Sequence, residues 1–198
     1  LQAACAVRDI QNIKVFSPNQ GHRVTFAQEM NDLLGCEVSP VNSVENCVAD
    51  VDIVMCGSNS IEAIFFERWL RPGLHVSSIK MPEIEEAVLR KADVVALHYG
   101  QRRPDTILAA GVNPPDRRSG TGWAVNEEFD FDSCPKLPEF IAGEKIGRTD
   151  DSQSTCFIND MGLGLQFASA AGLAYHKAKA AGLGNELPTD WFTEDVHP

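Results

Sequence analysis

The sequence is short of positive charge, of long apolar runs and of any glycine-rich phosphate turn. Lys and Arg number 17 against 28 Asp and Glu, a net charge of -11. A general nucleic-acid surface needs a basic stripe, so nucleic acid is not expected as a partner. No apolar stretch approaches the ~20 residues that span a bilayer, so a membrane is not expected either. The six cysteines, Cys5, Cys36, Cys47, Cys56, Cys134 and Cys156, include no Cys-x-x-Cys pair. Most lie in apolar stretches, which predicts reduced, buried thiols and a cytoplasmic setting rather than a disulfide framework. The five histidines show no metal-ligand spacing, so no metal is expected. No Gly-x-Gly-x-x-Gly occurs anywhere.

What is present is 198 residues with 43% hydrophobic content, enough for a real core. Short β-rich runs alternate with helical spacing. Ile13–Phe16, Cys36–Val41, Asp52–Cys56, Leu74–Ile79, Val94–His98 and Ser154–Asn159 read as strands. Between them, Phe26, Ala27, Met30, Leu33 and Leu34 share a helical face that ends at Gly35, a C-cap glycine. Val44–Asp50 reads as one or two helical turns. Glu83–Ala92 reads as a helix with Ile84, Ala87, Val88 and Ala92 inward, and Leu137–Ala142 as a short one. Met161–Ala181 is Ala/Gly-rich and helical. The stretch Tyr99–Ser133 carries clusters of Pro and Gly and reads as a long surface excursion.

Strands separated by helices of this length imply parallel β-α-β units. The predicted fold class is therefore α/β, a Rossmann-like doubly wound parallel sheet. Leu1–Arg8 reads as the tail of a helix that would follow an opening strand and a glycine-rich turn. The sheet is thus expected to lack its first strand and that turn, and the chain to be a C-terminal portion of an enzyme. Residues 1–148 are expected to form an incomplete dinucleotide-binding domain, and 149–198 a C-terminal strand, a long helix and a tail.

Ligands of open α/β sheets bind beyond the carboxyl ends of the strands. After the first strand stand Ser17, Pro18 and Asn19, with Arg23 further on and no Asp or Glu between. An acidic residue there would bond a ribose 2′-hydroxyl. A hydroxyl, an amide and a guanidinium suit a 2′-phosphate, which favours NADP over NAD. The alternative is a solvated turn, a helix N-cap and a surface Arg. Gly57, Ser58 and Asn59 follow the third strand, where Gly permits close backbone approach and Ser and Asn can bond ribose or phosphate. A plain strand-to-helix turn would show the same residues. Ser78, Ile79 and Lys80 end the next strand. Asp160 follows Asn159, a polar pair before the Gly-rich helix. His98 ends a strand but stands alone, and His75 reads as a packed strand residue. No catalytic residue can be assigned.

The tract GRTDDSQSTCFINDMGLGLQFASAAGLAYHKAKAAGLGNELP (147–188) resembles the C-terminal signature of the ornithine cyclodeaminase/mu-crystallin family. VDIVMCGSNS, RPGLHVSSI and IKVFSPN resemble its internal strands and loops, in the right order along nearly the whole chain. The resemblance implies NAD(P)-linked chemistry on amino acids and cyclic imines. It implies that Ser17, Asn19 and Arg23 meet the adenosine side of the cofactor. It places Gly57, Ser58 and Asn59 along the next part, and Ser78, Ile79 and Lys80 near the nicotinamide. Asp160 stands where the family has a cofactor-contacting Ser. The family's substrate-binding Arg and catalytic Lys belong to its N-terminal half, outside this sequence. The loop that carries a catalytic Asp in cyclodeaminases is here cut to Lys80-Met81-Pro82-Glu83, and Glu83 is not assigned that role.

Three readings follow. The first is the cofactor-binding portion of an NAD(P)-dependent oxidoreductase acting on a small amino or imino acid, with a homodimer expected of a full-length parent. The second is a non-catalytic NADP- or small-ligand-binding protein of the mu-crystallin type. The third is an inactive truncated fragment.

Overall fold

Two short β-rich runs begin the architecture. Asn12–Val15 (β1) and Glu37–Pro40 (β2) pair in parallel, Ile13 opposite Val38 and Lys14 opposite Ser39. The structure is a computed structural model describing residues 1–60, 62–79, 83–98, 129–130, 133–159 and 164–193. The Tyr99–Ser133 excursion lies almost wholly outside the described residues. A six-residue helix, Gln2–Val7 (α1), precedes β1.

Helix Gln20–Leu34 (α2) connects β1 to β2 and packs on β2. Asn19 caps it, its Oδ1 accepting from the His22 amide at 3.1 Å. Gly35 closes it in the left-handed conformation at φ 68°. The predicted face holds in part: Ala27 is buried and Met30 and Leu34 are half-buried, whereas Phe26 is 40% and Leu33 54% exposed, and Arg23 is buried in their place. The sheet beneath has two four-residue strands, so it covers only a narrow i, i+4 stripe of the helix. Asn31 extends that stripe: its side chain accepts from the Val38 amide and donates to the carbonyls of Val38 and Ala27.

The second sheet has four strands, all parallel. Ile53–Cys56 (β3), His75–Ser78 (β4), Val94–Leu97 (β5) and Thr155–Ile158 (β6) stand in the order β3-β4-β6-β5. The last strand in the chain is thus inserted between β4 and β5. Its inner positions Cys156 and Ile158 and those of β4 (Val76) and β5 (Leu97) join one apolar core with Phe65, Leu74, Ile84, Val88 and Leu89. Parallel strands covered in this way read as apolar runs rather than as alternation. The short helix Val44–Val48 (α3) is capped by Ser43, whose Oγ accepts from the Asn46 amide. Lys14 in β1 reaches the Ala49 carbonyl at 2.7 Å, tying the β1 side to the approach to β3.

One predicted helix is shorter than its periodicity suggested. The helix α4 spans Glu86–Lys91, not 83–92. The Glu83 carbonyl accepts from the amides of Ile64 and Phe65, and Ile84 forms a parallel bridge with Phe65. Those backbone bonds compete with the helix and win, so Ile84 reaches the core from outside it. Leu137–Ile141 (α5) follows later, and its neighbour Lys136 forms a parallel bridge with Leu97.

By packing, the chain divides into a unit 1–160 and a unit 161–198. Strand β6 therefore belongs to the sheet of the first unit. The second unit is built on helix Gly164–Ala180 (α6). The amides of Gly182 and Leu183 turn back to the carbonyls of Lys179 and Ala178, and Gly182 has φ 64°. The tail after it folds onto the helix: Glu186 accepts from Tyr175 Oη at 2.6 Å and from Lys179 Nζ at 2.8 Å. No described helix is long and apolar enough to cross a membrane.

Candidate functional site

Because the strands of each sheet run parallel, their carboxyl ends lie along one edge of that sheet, and the candidate residues follow those ends. They form two groups. The first stands beyond β1 and β2. Here Arg23 is only 8% exposed. Its Nη1 donates to the Ser17 carbonyl at 3.0 Å and its Nη2 to Asn42 Oδ1 at 2.9 Å. It also lies 5.7 Å from the Phe16 ring centroid. Arg23 therefore joins the loop after β1 to the loop after β2, and Asn42 is a member that sequence reasoning missed. Nothing in the spacing marks Asn42, because its partner is 19 residues away. Asn19 spends its side-chain oxygen on capping α2.

The second group stands beyond β3 and β4. Gly57 and Asn59 are exposed, and a Cβ placed on Gly57 would meet nothing within 4 Å. Ser58 is half-buried: its amide and its Oγ both donate to Glu83 Oε1, at 2.5 and 2.7 Å. Ser58 Oγ also accepts from the Ser60 amide at 3.1 Å. The Ile79 amide is shared between the Cys56 carbonyl at 3.3 Å and Glu83 Oε2 at 3.1 Å. Asn159, beyond β6, donates its amide to the Ser78 carbonyl at 3.1 Å. Ser78 Oγ is buried, at 3% exposure for the residue, with no hydrogen-bond partner among the described residues. A buried hydroxyl without a partner is costly. Lys80 and Asp160 lie outside the described residues.

Three further titratable groups lie within the sheet. His75 Nδ1 lies 2.7 Å from Thr155 Oγ1, across the β4–β6 pair. Burial, then the nearby charges of Arg148 and Arg8, hold its pKa below the usual histidine range. Burial pushes the thiols of Cys56 and Cys156 up to about 12, with the Glu83 charge adding to the effect at Cys56. Neither is a nucleophile at neutral pH. A cavity of about 580 Å³ lies at the opposite, amino-terminal ends of β1 and β2, lined by Arg8, Asn12, Cys36 and Glu37 among others. It is away from the carboxyl edge where the candidate residues gather.

Parallel α/β strands, with polar loops and an unpartnered hydroxyl at their carboxyl ends, set the frame for comparison. Residues 1–182 match the ornithine cyclodeaminase/mu-crystallin family. The chain belongs to that family. Among curated relatives, the Delta(1)-pyrroline-2-carboxylate reductase of Bacillus cereus (strain ZK / E33L) is 24% identical over 191 residues, 94% of this chain and 55% of the relative. The chain thus spans about half the length of the curated relatives it matches. Among solved structures, Thermococcus litoralis Delta(1)-pyrroline-2-carboxylate reductase, in complex with NADH and L-proline, superposes with a TM-score of 0.73 at 24% identity, covering 94% of this chain and 56% of that one. The iminosuccinate reductase of Paracoccus denitrificans, in complex with NAD+, gives 0.67 at 16% identity over 94% and 55% of the two chains. An archaeal alanine dehydrogenase dimer with bound NAD gives 0.68 at 20% identity, again over 94% and 55%. These likenesses establish the Rossmann-like α/β fold.

Proposed function

We propose that this chain supplies the nicotinamide-dinucleotide-binding portion of an oxidoreductase that reduces a small imino acid, or oxidises the matching amino acid, by hydride transfer. The observation that carries the reading is the carboxyl edge of β3 and β4. There an exposed Gly57 leaves room for close backbone approach, Asn59 stands in solvent, and the buried Ser78 hydroxyl has no described partner. Reductases of pyrroline-2-carboxylate and of iminosuccinate among the relatives and neighbours support the substrate class. The cofactor carries the hydride chemistry, and this chain's residues bind and orient it. Ser78, Ile79 and Lys80 are proposed beside the nicotinamide, Gly57 and Asn59 along the middle, and Asp160 as a further cofactor contact. All six cysteines are free, which suits a reducing, cytoplasmic setting. A homodimer is proposed for a longer parent.

On the adenosine side we propose a preference for NADP. No carboxylate stands between Ser17 and Arg23 to bond a 2′-hydroxyl, and the Arg23 charge sits directly behind Ser17. Among the described residues Arg23 engages two of its five N–H groups, on Ser17 and Asn42, and the others are proposed to meet a phosphate oxygen. Titration of this chain with NADH and NADPH, followed by nicotinamide fluorescence, tests the reading. Saturable binding with Kd below about 1 mM is expected for both, tighter for NADPH. No binding of either overturns it.

A binding protein without turnover is the second reading, and one observation favours it. Glu83, the carboxylate that follows β4, is fully buried with both oxygens engaged by Ser58 and Ile79, which leaves it turned away from a ligand. A screen of cyclic imines and keto acids separates the two. NAD(P)H oxidation with any of them ends the binding-only reading.

A further inference from the structure

Glu83 is fully buried, at 0% exposure, and close enough to Cys56 to act on its thiol. Among the described residues its side-chain donors are the Ser58 amide, the Ser58 hydroxyl and the Ile79 amide, all uncharged. Its own carbonyl is fixed by the amides of Ile64 and Phe65. A carboxylate taken this far from water is expensive, and an apolar side chain of the same volume would fill the space at less cost. What an apolar side chain could not do is join two backbones. Oε1 holds the loop after β3 and Oε2 holds the end of β4, across neighbouring strands. This turns both polar groups of Ser58 inward and leaves Gly57 and Asn59 as the exposed residues of the loop.

We infer that Glu83 is the positioning residue of the dinucleotide edge. It fixes the Gly57–Asn59 backbone, so that contact with the ligand falls to Gly57 and Asn59 while Ser58 serves as the anchor. The inference rests on the dinucleotide reading given above.

Glu83→Gln keeps the volume but sets an amide NH2 against the Ile79 N–H, donor against donor, so one arm of the clamp is cut. The experiment titrates NADH into the wild-type chain, Glu83→Gln, Ser58→Ala and the double variant, at a temperature where circular dichroism shows each folded. Glu83→Gln is expected to weaken NADH at least about tenfold. Ser58→Ala, which keeps its amide bond to Glu83, should lose less, and the double variant should lose no more than Glu83→Gln alone. Hydrogen exchange should accelerate at the Ser58 and Ile79 amides while those of Cys156 and Ile158 in β6 stay protected. A Glu83→Gln affinity within about twofold of wild type, or losses that simply add in the double variant, overturns the inference. If Glu83→Gln does not fold, Asn59→Ala decides: it should weaken NADH more than Ser58→Ala does, and the reverse order overturns the assignment. Failure of the wild-type chain to bind NADH or NADPH sinks the dinucleotide reading and this inference with it. Wild-type binding with an unaffected Glu83→Gln sinks the inference alone.

Discussion

Replacing Arg23 with Ala removes the cation that joins the loops after β1 and β2. Two hydrogen bonds from a charged donor disappear, to the Ser17 carbonyl and to Asn42 Oδ1, and the Phe16 ring loses a guanidinium 5.7 Å from its centroid. Bonds to charged groups are each worth about 1.5–3 kcal/mol, a gross loss of roughly 3–6 kcal/mol. Some of that is recovered, because the buried guanidinium no longer has to be stripped of water. The net cost is set at about 2–4 kcal/mol. For a unit of this size each kcal/mol lowers Tm by about 2–4 °C, so thermal melting should show a fall of roughly 5–15 °C. Arg23→Lys should recover little of it, since one ammonium cannot span both acceptors with the geometry of a planar fork. Titrations with NADPH and NADH complete the experiment. Both should weaken as the Ser17 loop is released, with NADPH losing at least about tenfold more if the guanidinium also meets the 2′-phosphate. A melting temperature unchanged within about 2 °C would refute the clamp. Equal weakening of the two dinucleotides would remove the 2′-phosphate role while leaving the clamp intact.

Two further predictions concern stability. Gly73 has φ +78°, and a Cβ there would sit 2.8 Å from the Asp151 carbonyl oxygen. Gly73→Ala should therefore cost about 2–4 kcal/mol in urea unfolding; a cost under about 0.5 kcal/mol would show that the turn can open freely. His75 is held neutral by burial first, with Arg148 and Arg8 adding to it, so its folded pKa lies below the unfolded value near 6.5. As pH falls below about 6.5 the unfolded chain takes up a proton that the folded chain refuses, and stability declines; above that pH the contribution is fully present. His75→Gln should flatten the pH dependence of Tm in this window. An unchanged slope would place the titrating group elsewhere.

Much of the architecture was legible in the chain itself. All six predicted strands form, each within two residues of its expected bounds, because short apolar runs bounded by turn residues suit parallel pairing. Gly35 ends α2 as its position required. The misreadings have a common physical origin in partners far along the chain. Phe26 and Leu33 face outward because β1 and β2 offer only a narrow surface. Glu83 and Ile84 stay out of α4 because Ile64 and Phe65 claim their backbone. In the site, Ser17, Gly57, Ser58, Ser78 and Ile79 were visible as residues at strand ends, and Arg23 as a residue of the helix that follows the first of them. The directions of their side chains were not, since those depend on Asn42 and Glu83.

By itself, then, the sequence determined that the chain alternates strands and helices and that its polar loops follow the strands, since periodicity and turn chemistry are local properties. The tertiary structure alone decided that β6 slots between β4 and β5, that Arg23 turns inward to Ser17 and Asn42, and that Glu83 binds the ends of two strands. Each of these is a hydrogen bond or a pairing between segments that meet only once the chain has folded. Local propensity carries no record of a partner brought in from a distance.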